Sequence, residues 1–318
     1  MIVKIFGVLF FALALFGIET LQPSKSFKAS GDVQSVVVHG KLLYAGTSEG
    51  TVDVFNLDSK KKLQTIQLPK IKDFTGESIN AKIYSVDFLD DALLIVSQGL
   101  NGFRDLYIFK NKKLEKIFSQ NNKLLIQKAS FVSKDHLLVG LLSNQIGLFD
   151  MKNRKQIYLV QLSQSSFSHF MLSGDKKTFA STDESGLVRI VDTWTGKVVK
   201  QLPPKNLDKI YQLDYKNGVI LTAGQDRKSV VYKNKSAYSL DFDFLLYSCA
   251  LNSKGDLGAV AYNEQNEVLV FDLATKTYLY NLVGQEATMT QILFVSENEL
   301  LVSSDSQKVN YFKLGGKK

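Results

Sequence analysis

One position recurs along this chain at intervals close to 40 residues, and this period limits the fold more than any other feature. It is the last large side chain of a short apolar run, and successive intervals are 54, 40, 42, 41, 39 and 41 residues. The position is occupied by Phe55, Phe109, Phe149, Val191, Tyr232, Phe271 and Phe312. After residue 30 the apolar runs are short, rich in Val, Ile, Leu, Tyr and Phe, and separated by polar turns, with no sustained helical period.

Seven such units predict an all-β, seven-bladed β-propeller with four strands in each blade. The seventh unit ends after Val309–Phe312 and a short tail, so it lacks a fourth strand. An unpaired outer edge favours aggregation. The segment Ser24–Ser30 precedes the first unit and can supply the missing strand. We therefore expect a ring that is closed by an N-terminal strand completing the last blade.

The units resemble WD-type repeats in degenerate form. Asp150, Asp192 and Asp272 follow the recurring position, where WD repeats carry the Asp of their Trp-Asp pair. Small, polar and glycine residues precede the third strand, as in residues 45–50 and 181–186. The single Trp194 lies elsewhere, and the Gly-His pair of WD repeats is missing. The period is therefore a stronger indication of the fold than the motif is.

The N-terminus has the pattern of an export signal. A short start containing Lys4 precedes an apolar run of 14 residues, Ile5–Ile18. This run is too short for a hydrocarbon core of about 30 Å, but it has the length of a signal-peptide core. We predict a Sec-type signal at residues 1–20, cleaved after Gly17 or Thr20, with retention as an anchor left open. A single propeller domain at residues 21–318 would then be periplasmic, without a membrane span.

The chain offers no constellation for catalysis. Cys249 is the only cysteine, so it forms no internal disulfide, and we expect it to be a small buried apolar residue. The three histidines, His39, His136 and His169, fall in different units without metal-ligand spacing. Phosphate loops, nucleophile elbows and haem-attachment motifs are missing. We predict a non-enzyme with no catalytic residues, metal or cofactor; a propeller enzyme or small-ligand-binding protein using the central channel is the alternative.

The one long interval marks an insertion that falls in two loops. These are Pro69–Glu77 and Gln98–Arg104, and the propeller topology places both connections on one face. They carry Phe74, Phe103 and Arg104, residue types that dominate binding energy at interfaces. We interpret these three residues as a partner-binding patch. The alternative is a pair of tolerated surface insertions whose aromatic rings pack on their own blades.

The turns between third and fourth strands lie on the opposite face and are basic. The chain has a net charge of +8. Eight cations represent this basic rim: Lys60, Lys61, Lys62, Lys112, Lys113, Arg154, Lys155 and Lys235. The other face, with Asp183 and Glu267 among its carboxylates, is expected to be mildly acidic. Such a rim can steer an acidic partner or a membrane surface, or simply solubilise the blade edges. The pattern does not predict nucleic-acid binding.

The whole-chain pattern resembles the NapL family of accessory propellers of the periplasmic nitrate reductase system. The resemblance rests on the export signal, the absence of cysteine beside it, the degenerate WD-like repeats and the lysine-rich sequence. It implies a periplasmic interaction scaffold that supports maturation or activity of the nitrate reductase without carrying its cofactor. The implied partners are the nitrate reductase or its maturation factors. We expect a monomer, and the resemblance brings no catalytic residues.

Overall fold

The computed structural model of the chain describes residues 17–315. Two strands, β1 (Glu19–Leu21) and β2 (Lys25–Lys28), precede the first blade. Blade 1 contains β3 (Val33–His39), β4 (Leu42–Thr47), β5 (Thr51–Asn56) and β6 (Lys62–Gln67). A hairpin of β7 (Ile71–Lys72) and β8 (Ser78–Ile79) leads to blade 2, formed by β9 (Ile83–Leu89), β10 (Ala92–Gln98), β11 (Arg104–Lys110) and β12 (Lys113–Phe118). The 3₁₀ turn η1 (Leu100–Gly102) lies inside blade 2, and η2 (Gln120–Asn122) follows it.

Five further blades complete the described chain. Blade 3 contains β13 (Ile126–Ser133), β14 (His136–Leu141), β15 (Gln145–Asp150) and β16 (Lys155–Gln161). Blade 4 contains β17 (Phe167–Leu172), β18 (Thr178–Asp183), β19 (Val188–Asp192) and β20 (Val198–Gln201). Blade 5 contains β21 (Ile210–Lys216), β22 (Val219–Gly224), β23 (Lys228–Lys233) and β24 (Ser236–Asp241). Blade 6 contains β25 (Cys249–Leu251), β26 (Leu257–Ala261), β27 (Val268–Asp272) and β28 (Tyr278–Leu282), and blade 7 contains β29 (Met289–Ser296), β30 (Glu299–Ser304) and β31 (Lys308–Lys313).

Each blade is a meander of antiparallel strands, so the predicted seven-bladed, all-β propeller is confirmed. The predicted closure is also confirmed, because β2 pairs antiparallel with β31 and completes blade 7. Phe27 lies opposite Val309 in this pairing. Blade 7 thus joins both ends of the described chain, because its outermost strand, β2, comes from the N-terminal end and its other three strands come from the C-terminal end.

A strand that the repeat did not predict adds a fifth member to blade 6. Strand β1 pairs in parallel with β28, with Glu19 opposite Tyr280 and Leu21 opposite Leu282. Strand β1 therefore covers the outer edge of blade 6, which is the neighbour of blade 7. Two of its three residues lie within the predicted signal at residues 1–20, whereas the apolar run up to residue 16 lies outside the described residues. The signal itself stays a prediction.

The core lies between neighbouring blades. The rings of Phe27 and Phe55 are 5.6 Å apart, and both side chains are buried with Leu43 and Leu301. Close packing also explains Gly46, because a Cβ atom there would lie 2.6 Å from Cγ2 of Ile83 on the next blade. Apolar burial of this kind, repeated around the ring, is the main stabilising contribution.

The Asp residues at the WD-like positions cap turns. Oδ1 of Asp192 accepts hydrogen bonds from the backbone N–H groups of Trp194 and Thr195, at 3.1 and 2.8 Å. Asp150 and Asp272 accept similar backbone bonds two or three residues ahead. A short acceptor that satisfies a turn's own N–H groups is a common way to stabilise such a turn. These positions are therefore structural in this fold.

Candidate functional site

The two faces of the propeller differ in what they carry. Connections from the fourth strand of one blade to the first strand of the next share a face with the turns between second and third strands. We call this side the insertion face, because it carries the β7–β8 hairpin and η1. The opposite side carries the turns between third and fourth strands, and we call it the basic face.

Phe74 stands at the tip of the β7–β8 hairpin and is 100% exposed. Its turn is ordered by Asp73, whose Oδ1 accepts from the Thr75 hydroxyl at 2.7 Å, from Thr75 N at 2.8 Å and from Glu77 N at 2.9 Å. The hydroxyl bond from Thr75 is the main cause that holds the Asp73 pKa below its ordinary value. The hairpin therefore presents a fully solvated phenyl ring on a hydrogen-bonded turn.

Arg104 is engaged within its own blade. Its guanidinium lies 4.0 Å from the centre of the Tyr84 ring, and Nη1 donates to the Gly102 carbonyl at 3.0 Å. Phe103 is half-buried. Both enlarged loops border one recess, where Lys70 and Ile71 of the hairpin meet Leu100 of η1. The structure therefore brings the two loops together. Of the three predicted partner-binding residues, only Phe74 is fully exposed to solvent and free to contact a partner.

Other apolar side chains are exposed on the insertion face. Leu207, between blades 4 and 5, is 79% exposed, and Leu142 and Leu125 are exposed to lesser degrees. These leucines lie at separate positions around the ring, and single exposed leucines need no explanation. These leucines were not among the predicted site residues, because the repeat period marks buried positions and gives no measure of exposure.

The eight cations of the basic rim are exposed at or beside the turns that define the basic face. Lys62 has a structural contact there, since its ammonium lies 3.0 Å from Oδ2 of the buried Asp53 and donates to the Ser30 hydroxyl. Arg154 lies 3.6 Å from Glu115 across two exposed side chains, a pair of little energetic weight. The interpretation of the rim as a steering surface stays a prediction.

The expected acidity of the insertion face needs correction at Asp183. Asp183 is fully buried and lies 2.6 Å from Arg189, so its charge is neutralised inside the blade. Glu267 accepts hydrogen bonds from Asn263, Tyr262 and Asn281. These three partners are uncharged and leave the negative charge of Glu267 in place, whereas the charge of Asp183 is paired with Arg189 on the following strand.

Seven polar residues, one from each blade, surround the central channel, and six of them line it. The repeat period did not indicate them. Each innermost strand begins with an apolar residue, any residue and then a polar residue, as in Val33-Gln34-Ser35, except in blade 6, where the triplet comes directly before β25. In six blades the middle residue forms a β-bulge. The polar third residues form what we call the inner ring: Ser35, Ser85, Lys128, His169, Gln212, Ser248 and Gln291. An alignment of the seven units on their first strands would have found this triplet.

The inner ring joins neighbouring blades by hydrogen bonds. The Ser248 hydroxyl accepts from Ile292 N at 3.0 Å, and Oε1 of Gln291 accepts from Val36 N at 2.9 Å. Ser35, Ser85 and His169 accept in the same way from the next blade at 3.3 to 3.5 Å. Burying a backbone N–H without an acceptor is costly, so these bonds stabilise the ring closure of the innermost strands.

Lys128 and His169 are the ionisable members of the inner ring. Nζ of Lys128 lies 2.6 Å from Nε2 of His169. Burial lowers the pKa of Lys128 to about 8, and burial together with the Lys128 charge places the pKa of His169 well below its ordinary value. The channel leaves both side chains partly accessible although protein surrounds them. From the sequence, His169 was noted only for its lack of metal-ligand spacing, and Lys128 was not among the predicted site residues.

The remaining histidines and the cysteine have packing roles. His39 stacks on Phe88 at 4.5 Å between ring centres, and Nδ1 of His136 lies 2.9 Å from the Ser133 hydroxyl. Cys249 is buried, and burial raises its pKa well above the ordinary value. Residues 17–315 contain no group of three or more His, Cys, Asp or Glu side chains arranged to hold a metal ion. Over the same range, no helix is long and apolar enough to cross a membrane.

Comparison with known proteins supports the fold and does not extend to function. No protein-family model matches the chain, and no curated protein matches it. Among solved structures, the Cps50 (Swd1) β-propeller domain from Myceliophteria thermophila superposes with a TM-score of 0.75. That match covers 92% of this chain and 99% of the other at 14% identity. In all, 1866 solved chains match, so the likeness identifies an architecture that many proteins share.

The fold thus defines a seven-bladed β-propeller that matches a WD40-type propeller. Propellers of this kind are commonly used for protein–protein interaction, and the matched domain is such a propeller. At 14% identity the similarity is one of fold alone, and it does not assign a partner to this chain.

Proposed function

We propose that this chain is a non-catalytic interaction scaffold whose partner binds at the insertion face. The observation that carries the proposal is Phe74, a fully exposed ring on a turn ordered by three hydrogen bonds to Asp73. Exposed aromatic side chains on preorganised loops bind with little loss of conformational entropy and are frequent anchors of interfaces. Leu207, exposed between blades 4 and 5, lies on the same face, three blades further around the ring.

The resemblance to the NapL family makes the proposal more specific. It supports a periplasmic accessory protein, exported by a Sec-type signal, that acts on the nitrate reductase or its maturation factors. In this role the chain contributes binding surface and brings neither cofactor nor catalytic residues. The exposed cations of the basic face would then steer association or keep the protein soluble, depending on the charge of the partner.

Affinity purification of the tagged protein from the periplasm of its own host tests the proposal. We expect the unchanged protein to recover nitrate reductase subunits or maturation factors, and Phe74→Ala to reduce that recovery at least tenfold, as expected for an aromatic anchor worth about 2 kcal/mol. Because Phe74 contacts nothing in its own fold, the change should leave stability within about 0.5 kcal/mol.

Val199→Ala provides the matched control. Val199 is 63% exposed on the outermost strand of blade 4, away from the insertion hairpin, so removing it shortens an exposed apolar side chain elsewhere. Recovery that is unchanged by Phe74→Ala and reduced by Val199→Ala would refute the insertion face as the docking site. Recovery of a different periplasmic protein through Phe74 would retain the scaffold and refute the nitrate reductase assignment.

A further inference from the structure

Lys128 is the one inner-ring residue that cannot do what its neighbours do. Serine, glutamine and neutral histidine accept a hydrogen bond from the next blade, whereas an ammonium group has donors and no acceptor. Glutamine occupies the equivalent position in two other blades, as Gln212 and Gln291. A residue that breaks a local pattern without a compensating structural contact is a candidate for function.

The ammonium of Lys128 has one hydrogen-bond partner, and that partner is uncharged. Its bond to Nε2 of His169 uses one of three N–H donors. Among the described residues, the aromatic ring that Lys128 faces is Phe170, with Nζ 5.7 Å from the ring centre. Both nitrogens of His169 face N–H donors, Lys128 and the Leu213 amide, so a protonated imidazole is disfavoured there.

The nearest carboxylates are committed to other groups. Oδ2 of Asp87 accepts from Phe131 N at 2.7 Å, and Oδ2 of Asp214 accepts from Leu251 N at 2.8 Å. Both attract Lys128 through space, while Lys216 opposes them, and none of the ion pairs among residues 17–315 includes Lys128. The ammonium of Lys176, another nearby cation, donates to the Phe131 carbonyl. Lys128 therefore carries a charge inside the channel without an adjacent counterion.

The channel has space and further donors for such a counterion. Lys128 lines a cavity of about 240 Å³ together with Gln34, Gln127 and Ser168. The Ser168 hydroxyl is buried without a hydrogen-bond partner among the described residues. An ammonium and a hydroxyl lining one small polar cavity are donors suited to an oxyanion. Asp87 and Asp214 nearby disfavour a second negative charge.

We propose that the central channel binds a small, singly charged carboxylate, held by the ammonium of Lys128 with the Ser168 hydroxyl as a second donor. The bound anion supplies the counterion that the inner ring lacks. It also accepts from the Ser168 hydroxyl, which is buried without a hydrogen-bond partner among the described residues. This site is separate from the insertion face, so it does not depend on the proposed scaffold function.

Acetate is the probe, measured by calorimetry at pH 7 against chloride at equal ionic strength. We expect the unchanged protein to bind acetate and the Lys128→Gln variant to bind it roughly 10-fold to 100-fold more weakly, the range for losing a charged hydrogen bond. Ser168→Ala should weaken binding less, because it removes an uncharged donor. Sulfate, with two charges, should bind more weakly than acetate.

The variant and its control are matched. Gln at position 128 repeats the side chain of two other blades, so Lys128→Gln should fold, and its thermal midpoint without acetate reports this. Lys60→Gln removes the same charge from the exposed basic face and should leave acetate affinity unchanged. Equal affinity in Lys128→Gln and the unchanged protein overturns the site, and so does the absence of acetate binding by the unchanged protein.

A pH dependence gives a second readout. The Lys128 pKa of about 8 should rise when an anion binds, because a negative charge favours the protonated amine. Binding near pH 8 should therefore take up protons, and affinity should fall as the pH rises through that range. Lys128→Gln should show neither effect. Acetate binding without proton uptake near pH 8 would exclude Lys128 as its ligand.

Discussion

Asp183 shows how the blades hold a buried charge. Its side chain is fully buried, 2.6 Å from Arg189, and it also accepts from Ser163, Ser185 and Asn144. Burial alone would raise the pKa of Asp183, but the bonds from Ser185 and Ser163 and the charge of Arg189 bring it below the ordinary value. This carboxylate is therefore satisfied by a network within blades 3 and 4, whereas Lys128 in the channel has a single neutral partner.

Removing the Asp183 carboxylate should destabilise the fold severely. Asp183→Ala leaves Arg189 buried without its partner, which costs about 3 to 5 kcal/mol of the free energy of unfolding, measurable by urea denaturation. Asp58→Ala is the control, since Asp58 and Lys41 form an ion pair on the surface, and it should have no measurable effect. A small loss for Asp183→Ala, equal to that of Asp58→Ala, would contradict this description of the network.

The same carboxylate predicts a pH dependence. Because the folded pKa of Asp183 is lowered, its stabilising contribution is fully present above the unfolded value of 3.8 and is lost as pH falls through the folded value. Acid unfolding of the unchanged protein should therefore include this contribution, and Asp183→Ala should reduce the slope of stability against pH below 3.8. An unchanged slope would show that Asp183 does not titrate with unfolding.

At the scale of secondary-structure elements, the N-terminal strands determine how the ring is held closed. Phe27 of β2 is buried against Phe55 of blade 1 while its backbone pairs with β31 of blade 7. Strand β1 continues this arrangement by pairing with blade 6. A short N-terminal segment thus contacts three consecutive blades, and its loss should separate the ring where the two ends of the described chain meet.

Two phenylalanines test the closure with the same substitution. Phe27→Ala should lower the free energy of unfolding by about 3 to 5 kcal/mol, since it removes a fully buried ring. Phe74→Ala removes an exposed ring and should change it by less than about 0.5 kcal/mol. The midpoints of urea unfolding compare the two variants. Similar midpoints would show that β2 contributes little to the stability of the ring.

Strand β1 also distinguishes the two predicted cleavage positions. Cleavage after Gly17 leaves Glu19–Leu21 intact on the edge of blade 6, whereas cleavage after Thr20 removes two of the three paired residues. We therefore predict that the exported protein begins at Ile18. Intact-mass measurement of the protein from the host periplasm checks this, and a first residue of Leu21, or an uncleaved Met1, would contradict it.

The sequence was sufficient for the architecture because a repeated period reports on every blade at once. The recurring Phe, Val and Tyr positions predicted seven blades. The closing strand followed because the seventh unit lacked a fourth strand, which would have left the edge of its third strand unpaired. The channel residues were harder to predict. The triplet containing Lys128 follows the regular pattern. Only the packing of neighbouring strands places Nε2 of His169 2.6 Å from Nζ of Lys128 and leaves the Lys128 ammonium without an adjacent carboxylate. Strand β1 belongs to no repeat and overlaps the predicted export signal.

For the molecule as a whole, the two faces have different surface properties. The insertion face carries exposed apolar side chains, among them Phe74 and Leu207, and one of the acidic groups expected there, Asp183, is buried and paired with Arg189. The opposite face carries exposed lysine and arginine side chains on its turns, within a chain of net charge +8. This division favours specific contact through one face and general electrostatic attraction through the other.

A photo-crosslinking residue in place of Phe74 tests the scaffold function most directly. The residue is introduced at position 74 and, in separate variants, at the basic-face position 60 and the blade-edge position 199, and all are irradiated in the host periplasm. We predict a discrete adduct from position 74, identified by mass spectrometry as a nitrate reductase subunit or maturation factor, with none at position 199. Adducts from positions 60 or 199 with none from position 74 would contradict docking at the insertion face, and no adduct from any position would contradict the scaffold itself.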